Sequence, residues 1–175
     1  MNIDKLIGPS KSGRELLQLQ ENQSHRILVV ENDPINCNLT KEVLIWHGYI
    51  AKAVGDAAAW GELQAAKYNL LITDYELPTI TGIELIKTLR SARKDLPVVL
   101  IAGKLPIKDL VQRPSLQPVA TLLKPFSVNA LLETVKTALA ASNTPLGEIA
   151  ARANTITPVL QELLDYQIRS HRNWR

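Results

Sequence analysis

Cysteine is nearly absent from this chain. The single Cys37 excludes an internal disulfide framework and a cysteine-rich zinc site. Histidine is scarce too, and His25, His47 and His171 stand too far apart for metal-ligand spacing. No apolar run approaches the roughly 18 residues that a membrane-spanning helix needs. The first nine residues include Asp4 and lack an apolar core, so they do not read as a secretory signal. A reduced, cytoplasmic setting is therefore expected. No excess of one charge sign is large enough to argue for nucleic acid, since 20 Lys+Arg oppose 17 Asp+Glu. With 46% apolar and 21% charged residues in 175, what is present is ordinary globular material: one domain with some extra length.

That material alternates between two periodicities. Arg26–Val30 is a short β-branched run that reads as a buried strand. Pro34 follows where a helix can begin, with Asp33 or Asn32 at its N-cap. Ile35, Leu39, Val43 and Trp46 recur at helical spacing, and Gly48 stops the helix. A strand over Tyr49–Val54 precedes a weaker helix over Asp56–Ala66. The apolar strand Asn69–Thr73 runs into Asp74, and a helix follows Gly82 with Ile83, Ile86 and Leu89 on one face. Pro97–Ile101 and Val119–Leu123 read as two further strands. Prolines 106, 114 and 118 limit the helix between them to about two turns near Ile107–Gln112, and a last helix spans Val128–Ala140. Five strands alternating with helices predict a doubly wound α/β fold: one parallel sheet, right-handed crossovers, helices on both faces.

Three segments result: an N-terminal extension over 1–24, the α/β unit over 25–140, and a tail over 141–175. Ser12 and Glu15 suggest a capping box for a short N-terminal helix, with an extended arm as the alternative. In the tail, Ser142–Pro145 reads as a linker. Thr157-Pro158 opens a helix bearing Val159, Leu160, Leu163, Leu164 and Ile168, a candidate for dimerisation or partner docking. Arg169, His171, Arg172 and Arg175 follow as a solvated helix end. The tail is shorter than a winged-helix DNA-binding domain. Trp46 and Cys37 read as packing residues, whereas Trp60 and Trp174 are either surface anchors or ordinary packing.

In such sheets chemistry gathers at the carboxyl ends of the strands. Here those ends carry Glu31, Asn32 and Asp33, then Asp74, then Ala102-Gly103, then Lys124-Pro125. Clustered carboxylates there suit a hard divalent cation, with Mg²⁺ the natural candidate. A lysine nearby neutralises a phosphoryl oxygen, and an aspartate can attack phosphorus.

At this point the chain resembles the response-regulator receiver domain of two-component signalling, a flavodoxin-like fold. The motifs are Ile27-Leu-Val-Val-Glu-Asn-Asp-Pro34, Leu70-Leu-Ile-Thr-Asp-Tyr-Glu-Leu-Pro78 with Thr81-Gly82, Pro97-Val-Val-Leu-Ile101 and Leu122-Leu-Lys-Pro-Phe126. The resemblance implies that Asp74 is the phosphoacceptor and that Glu31 lies near the metal. It implies that the backbone carbonyl of Glu76 is a metal ligand, that Lys124 binds the phosphoryl group, and that Lys124-Pro125 is cis. A histidine kinase or phosphotransfer partner would be the donor, and an unidentified downstream protein the recipient of the signal. Beyond its own phosphorylation and dephosphorylation, no enzymatic activity is implied.

Three positions depart from that pattern. Asn32 stands where the family usually has a metal-binding aspartate; an uncharged amide oxygen predicts weak Mg²⁺ binding, and a plain helix cap is the other reading of Asn32. Ala102 replaces a hydroxyl residue, and Thr121 replaces an aromatic switch. The expected function is a stand-alone receiver acting through protein–protein contacts, with no membrane or nucleic-acid partner. The alternative is a phosphorylation-independent pseudo-receiver serving as an interaction or dimerisation module. Asp74-Tyr-Glu76 is also faintly similar to the haloacid dehalogenase phosphatases, but those carry a second aspartate and place the nucleophile on an early strand.

Overall fold

The computed structural model describes residues 22, 24–92, 95–112, 116 and 118–141. The expectations for a helix near Ser12, for the 157–168 tail helix with its dimerisation role, for the Arg169–Arg175 cluster and for Trp174 lie outside these residues. Along the described chain run β1 (Arg26–Val30), α1 (Pro34–Trp46), β2 (Ile50–Val54), α2 (Asp56–Ala65), β3 (Leu70–Asp74), α3 (Gly82–Ser91), β4 (Val98–Ala102), α4 (Ile107–Gln112), β5 (Ala120–Leu123) and α5 (Val128–Ala141). The strands form one sheet in the order β2-β1-β3-β4-β5, every neighbouring pair parallel. This is the doubly wound, flavodoxin-like architecture expected from the alternation.

Alternate residues of the central strands serve two cores, because successive side chains point to opposite faces. Leu28, Val30, Leu71 and Leu100 pack with α2, α3 and α4 on one side, including Ile83, Ile86 and Leu89. Ile27, Val29, Ile72 and Ile101 pack with α1 and α5 on the other. Strands buried on both faces therefore need the continuous apolar runs seen in β1, β3 and β4. All five residues of β3 and of β4 are buried, down to Asp74 and Ala102 at their ends. Edge strands β2 and β5 are only partly covered.

Local chemistry sets the helix ends. Asp33 caps α1, its carboxylate accepting from the backbone N–H groups of Ile35 and Asn36 at 2.9 Å each, with Pro34 in the first turn. Gly48 stops that helix at a positive φ of 89°. A reciprocal capping box opens α3: the Thr81 hydroxyl accepts from the Glu84 N–H, and the Glu84 carboxylate accepts from the Thr81 N–H.

The orientation of α1 corrects one expectation. Ile35 and Trp46 are each 76% exposed and Leu39 is 60% exposed, while Thr40 and Leu44 are buried. At about 100° per residue the buried stripe is rotated by more than a third of a turn from the apolar one, with Val43 at their boundary. Trp46 is thus a surface residue. Trp60 packs half-buried against the α2–α4 core. Cys37 is half-buried, and burial raises its thiol pKa, followed by the nearby charge of Glu31. Among the described residues no helix is long and apolar enough to cross a membrane.

Candidate functional site

Strand registry brings the chemistry to one rim. Val30 pairs with Thr73, Asp74 with Ile101 and Ile101 with Leu122, so Glu31 stands level with Asp74 and Lys124 follows two positions further along the same rim. The strand order reverses direction between β1 and β3, and a crevice opens outside the carboxyl ends at such a reversal.

In that crevice the Lys124 ammonium bridges two carboxylates. It donates to Glu31 Oε2 at 3.0 Å and to Asp74 Oδ2. Glu31 and Asp74 are buried, at 9% and 6% exposure, whereas Lys124 is half-buried. Backbone amides complete both acids: Asp33 N–H donates to Glu31 Oε1 at 3.0 Å, and Glu76 N–H to Asp74 Oδ1 at 3.2 Å. Burial depresses the Lys124 pKa, but the bonds to Asp74 and Glu31 outweigh it, and the net shift is upward. Two carboxylates and one ammonium leave the cluster one negative charge in excess.

Lys124 is aimed by its neighbours. Its backbone N–H donates to the Ala102 carbonyl at 2.9 Å, and its bond to Pro125 is cis. The site opens into a groove of about 310 Å³ between α1 and α5, where Leu39, Val43 and Phe126 line the apolar side. Beneath the end of β3, Gly82 begins α3 in direct contact with it. A Cβ there would lie 2.4 Å from the Asp74 carbonyl oxygen and 2.9 Å from Leu100 Cδ1.

The predicted residues divide. Glu31, Asp74 and Lys124 meet, and the Glu76 peptide sits beside Asp74 while its side chain is exposed. Asn32 does not join them, nor does it cap α1. Its Nδ2 donates to Asp56 Oδ1 at 3.0 Å, and its Oδ1 accepts from Asp56 N–H at 2.8 Å. Ala102 is wholly buried and offers only a methyl group, and Thr121 is half-buried on β5 beside Leu100.

For Mg²⁺, the buried oxygens of Glu31 and Asp74 have the required hardness, and two carboxylates supply the charge. Among the described residues no three His, Cys, Asp or Glu side chains gather into a metal cage. Glu31 and Asp74 thus offer two carboxylates to a hard cation, and Asn32 in its present orientation adds nothing to them.

Sequence reasoning missed two polar contacts. Asp56 is buried at 7% exposure and accepts from Thr79 N–H at 2.8 Å and from Thr79 Oγ1 at 2.6 Å. Bonds from the Thr79 hydroxyl and amide, then from Asn32, bring its pKa down to about 2. The only local signal was an acidic residue in the first turn after Gly55. The second contact is that of the Tyr75 hydroxyl, which donates to Asp109 Oδ2 at 2.8 Å.

Comparison with known proteins agrees with this geometry. The family model for the response regulator receiver domain matches residues 27–136. The probable transcriptional regulatory protein SilR of Salmonella typhimurium is 32% identical over 124 residues, covering 70% of this chain and 54% of SilR. The chain spans about half the length of the curated relatives it matches. A CheY-like receiver domain protein from Methanospirillum hungatei superposes with a TM-score of 0.63 at 24% identity, covering 68% of this chain and 96% of that one. The response regulator TrrA of Thermotoga maritima, solved in complex with Mg(2+)-BeF, gives 0.59 at 28% identity over 65% of this chain and 98% of its own.

Proposed function

Since this chain belongs to the response regulator receiver domain family, we propose that it accepts a phosphoryl group on Asp74 and passes the signal on by protein–protein contacts. The donor is a histidine kinase or a phosphotransfer protein. The observation that carries this reading is the bridge of Lys124 between Asp74 and Glu31 at the mouth of an open groove.

An Asp74 carboxylate oxygen attacks the donor phosphorus. The O–P bond forms as the P–N bond to the donor imidazole breaks, and the departing nitrogen leaves protonated. Lys124 then transfers its hydrogen bonds from the free carboxylate to the phosphoryl oxygens, neutralising charge that grows at phosphorus. The Glu76 N–H holds the carboxylate by its other oxygen and so orients the attacking lone pair. Glu31, Asp74 and the Glu76 backbone carbonyl would hold a Mg²⁺ ion, which would screen the repulsion between the carboxylate and the incoming phosphoryl group. Asn32, engaged by Asp56, adds no charge to that set, and weak Mg²⁺ affinity follows.

Incubation with Mg²⁺ and a small phosphodonor, followed by intact-mass measurement, tests the reading. A phosphoryl adduct in the wild type and none in Asp74→Asn is expected. Absence of an Asp74-dependent adduct, with the small donor and with donor kinases alike, would overturn it. That result would leave the phosphorylation-independent module.

A further inference from the structure

Two loops carry the acid site: β1–α1, with Glu31, and β3–α3, with Glu76. Neither is long, yet both must hold their spacing for Glu31 and Asp74 to share one ammonium. Asp56, at the start of α2, is bonded to both. On one side it faces Asn32, the neighbour of Glu31, through two opposed hydrogen bonds of 3.0 and 2.8 Å. On the other its second carboxylate oxygen accepts from both the amide and the hydroxyl of Thr79, at 2.8 and 2.6 Å. The Ala57 N–H donates to the oxygen facing Asn32, Oδ1, at 2.7 Å, anchoring the carboxylate on the helix itself.

We propose that Asp56 is a positioning residue for the phosphoacceptor site, clasping Asn32 and Thr79 so that the two loops keep Glu31 and Asp74 in register with Lys124. This rests on the reading of Asp74 as the acceptor. Asn32 thereby acquires a role that its chemistry fits. Its amide offers a donor to the Asp56 carboxylate and an acceptor to the Asp56 N–H at once, whereas an ionised carboxylate only accepts. An aspartate at position 32 would set two carboxylates against each other, so Asn32 and Asp56 form a matched pair. The arrangement is the oxygen-site counterpart of an outer shell that orients ligands without touching the reacting atoms.

The test compares Asp56→Ala, Thr79→Ala, Asn32→Asp and the exchanged double variant Asn32→Asp/Asp56→Asn. Three quantities are measured on the full chain: the initial rate of phosphorylation by a small donor, the Mg²⁺ concentration for half-maximal rate, and hydrogen exchange at the Thr79 amide. Asp56→Ala is expected to lower the rate or raise the Mg²⁺ requirement by about tenfold and to speed exchange at Thr79. Asn32→Asp should impair the site in spite of its extra charge, and the exchanged pair should recover most of the loss. Thr79 is exposed, so Thr79→Ala keeps the test available should Asp56→Ala fail to fold, with a smaller change in the same direction. Rate and Mg²⁺ requirement unchanged in a folded Asp56→Ala or Thr79→Ala would overturn the proposal, as would an Asn32→Asp variant faster than wild type. A wild type that forms no adduct instead removes the Asp74 reading, while the exchange data still report on the clasp.

Discussion

The phenol of Tyr75 donates a 2.8 Å hydrogen bond to the carboxylate of Asp109, tying the residue after Asp74 to the short helix α4. That bond, then burial, raises the tyrosine pKa above its ordinary 10.0. Tyr75→Phe should cost about 1 kcal/mol in urea unfolding. It should also remove one of the phenols that titrate above pH 10.0, read by ultraviolet difference absorbance. A phenol lost from the ordinary range near 10.0, rather than from above it, would deny the bond.

Lys124→Met should leave the Glu31 and Asp74 carboxylates without their shared cation. A loss of about 1–3 kcal/mol is expected at neutral pH, measured by chemical denaturation. Because the folded pKa of Lys124 is raised, its contribution is complete below the unfolded value of 10.5 and disappears as pH climbs through the folded one. The stability gap between wild type and Lys124→Met should therefore close in strong alkali.

Asp56 titrates with the opposite sign. Its folded pKa of about 2 lies below the ordinary 3.8, so its stabilisation is present above 3.8 and is lost as pH falls toward 2. Unfolding free energies of wild type and Asp56→Ala should differ most near neutrality and converge over that acid interval. A gap that is constant across it would contradict the assignment.

Gly82→Ala should be costly because its methyl meets backbone, which cannot rotate away. With the Asp74 carbonyl oxygen 2.4 Å from the added carbon, about 1–3 kcal/mol is expected, together with slower phosphorylation as the end of β3 shifts. Thermal melts and adduct formation on the same samples would check both.

The rotation of α1 makes a contrast between leucines. Leu44→Ala, at a position with no exposure, should lose about 2–5 kcal/mol. Leu39→Ala, which is 60% exposed, should lose far less. Equal losses would restore the apolar stripe as the buried face.

The strands were legible because their burial is written locally. A run such as Leu70-Leu-Ile-Thr73 has no amphipathic alternative, and its acidic end marks the rim. The breaks at Pro106 and Gly48 were equally local. Glu31, Asp74 and Lys124 were legible as a group because each follows an apolar strand at its carboxyl end, within motifs that resemble the receiver family. The facing of α1 was not, since Ile35, Leu39 and Trp46 make a regular apolar stripe that the sheet does not use. Nor was the Asp56 clasp, whose partners lie 24 residues before it and 23 after it. An amide and a hydroxyl at such distances carry no periodic signature. The pairing exists only in three dimensions.

The paired strand ends also bear on how the sheet avoids misalignment. Should β3 slide by one position along β1 or β4, its side chains would exchange faces. A slip one way would set Thr73 where the carboxylate belongs, and a slip the other way would set Asp74 opposite Leu100. The ionic grip on Lys124 and the dry packing of Leu71 and Ile72 therefore select one common alignment, and the chain proofreads its own assembly at the rim where those charges meet.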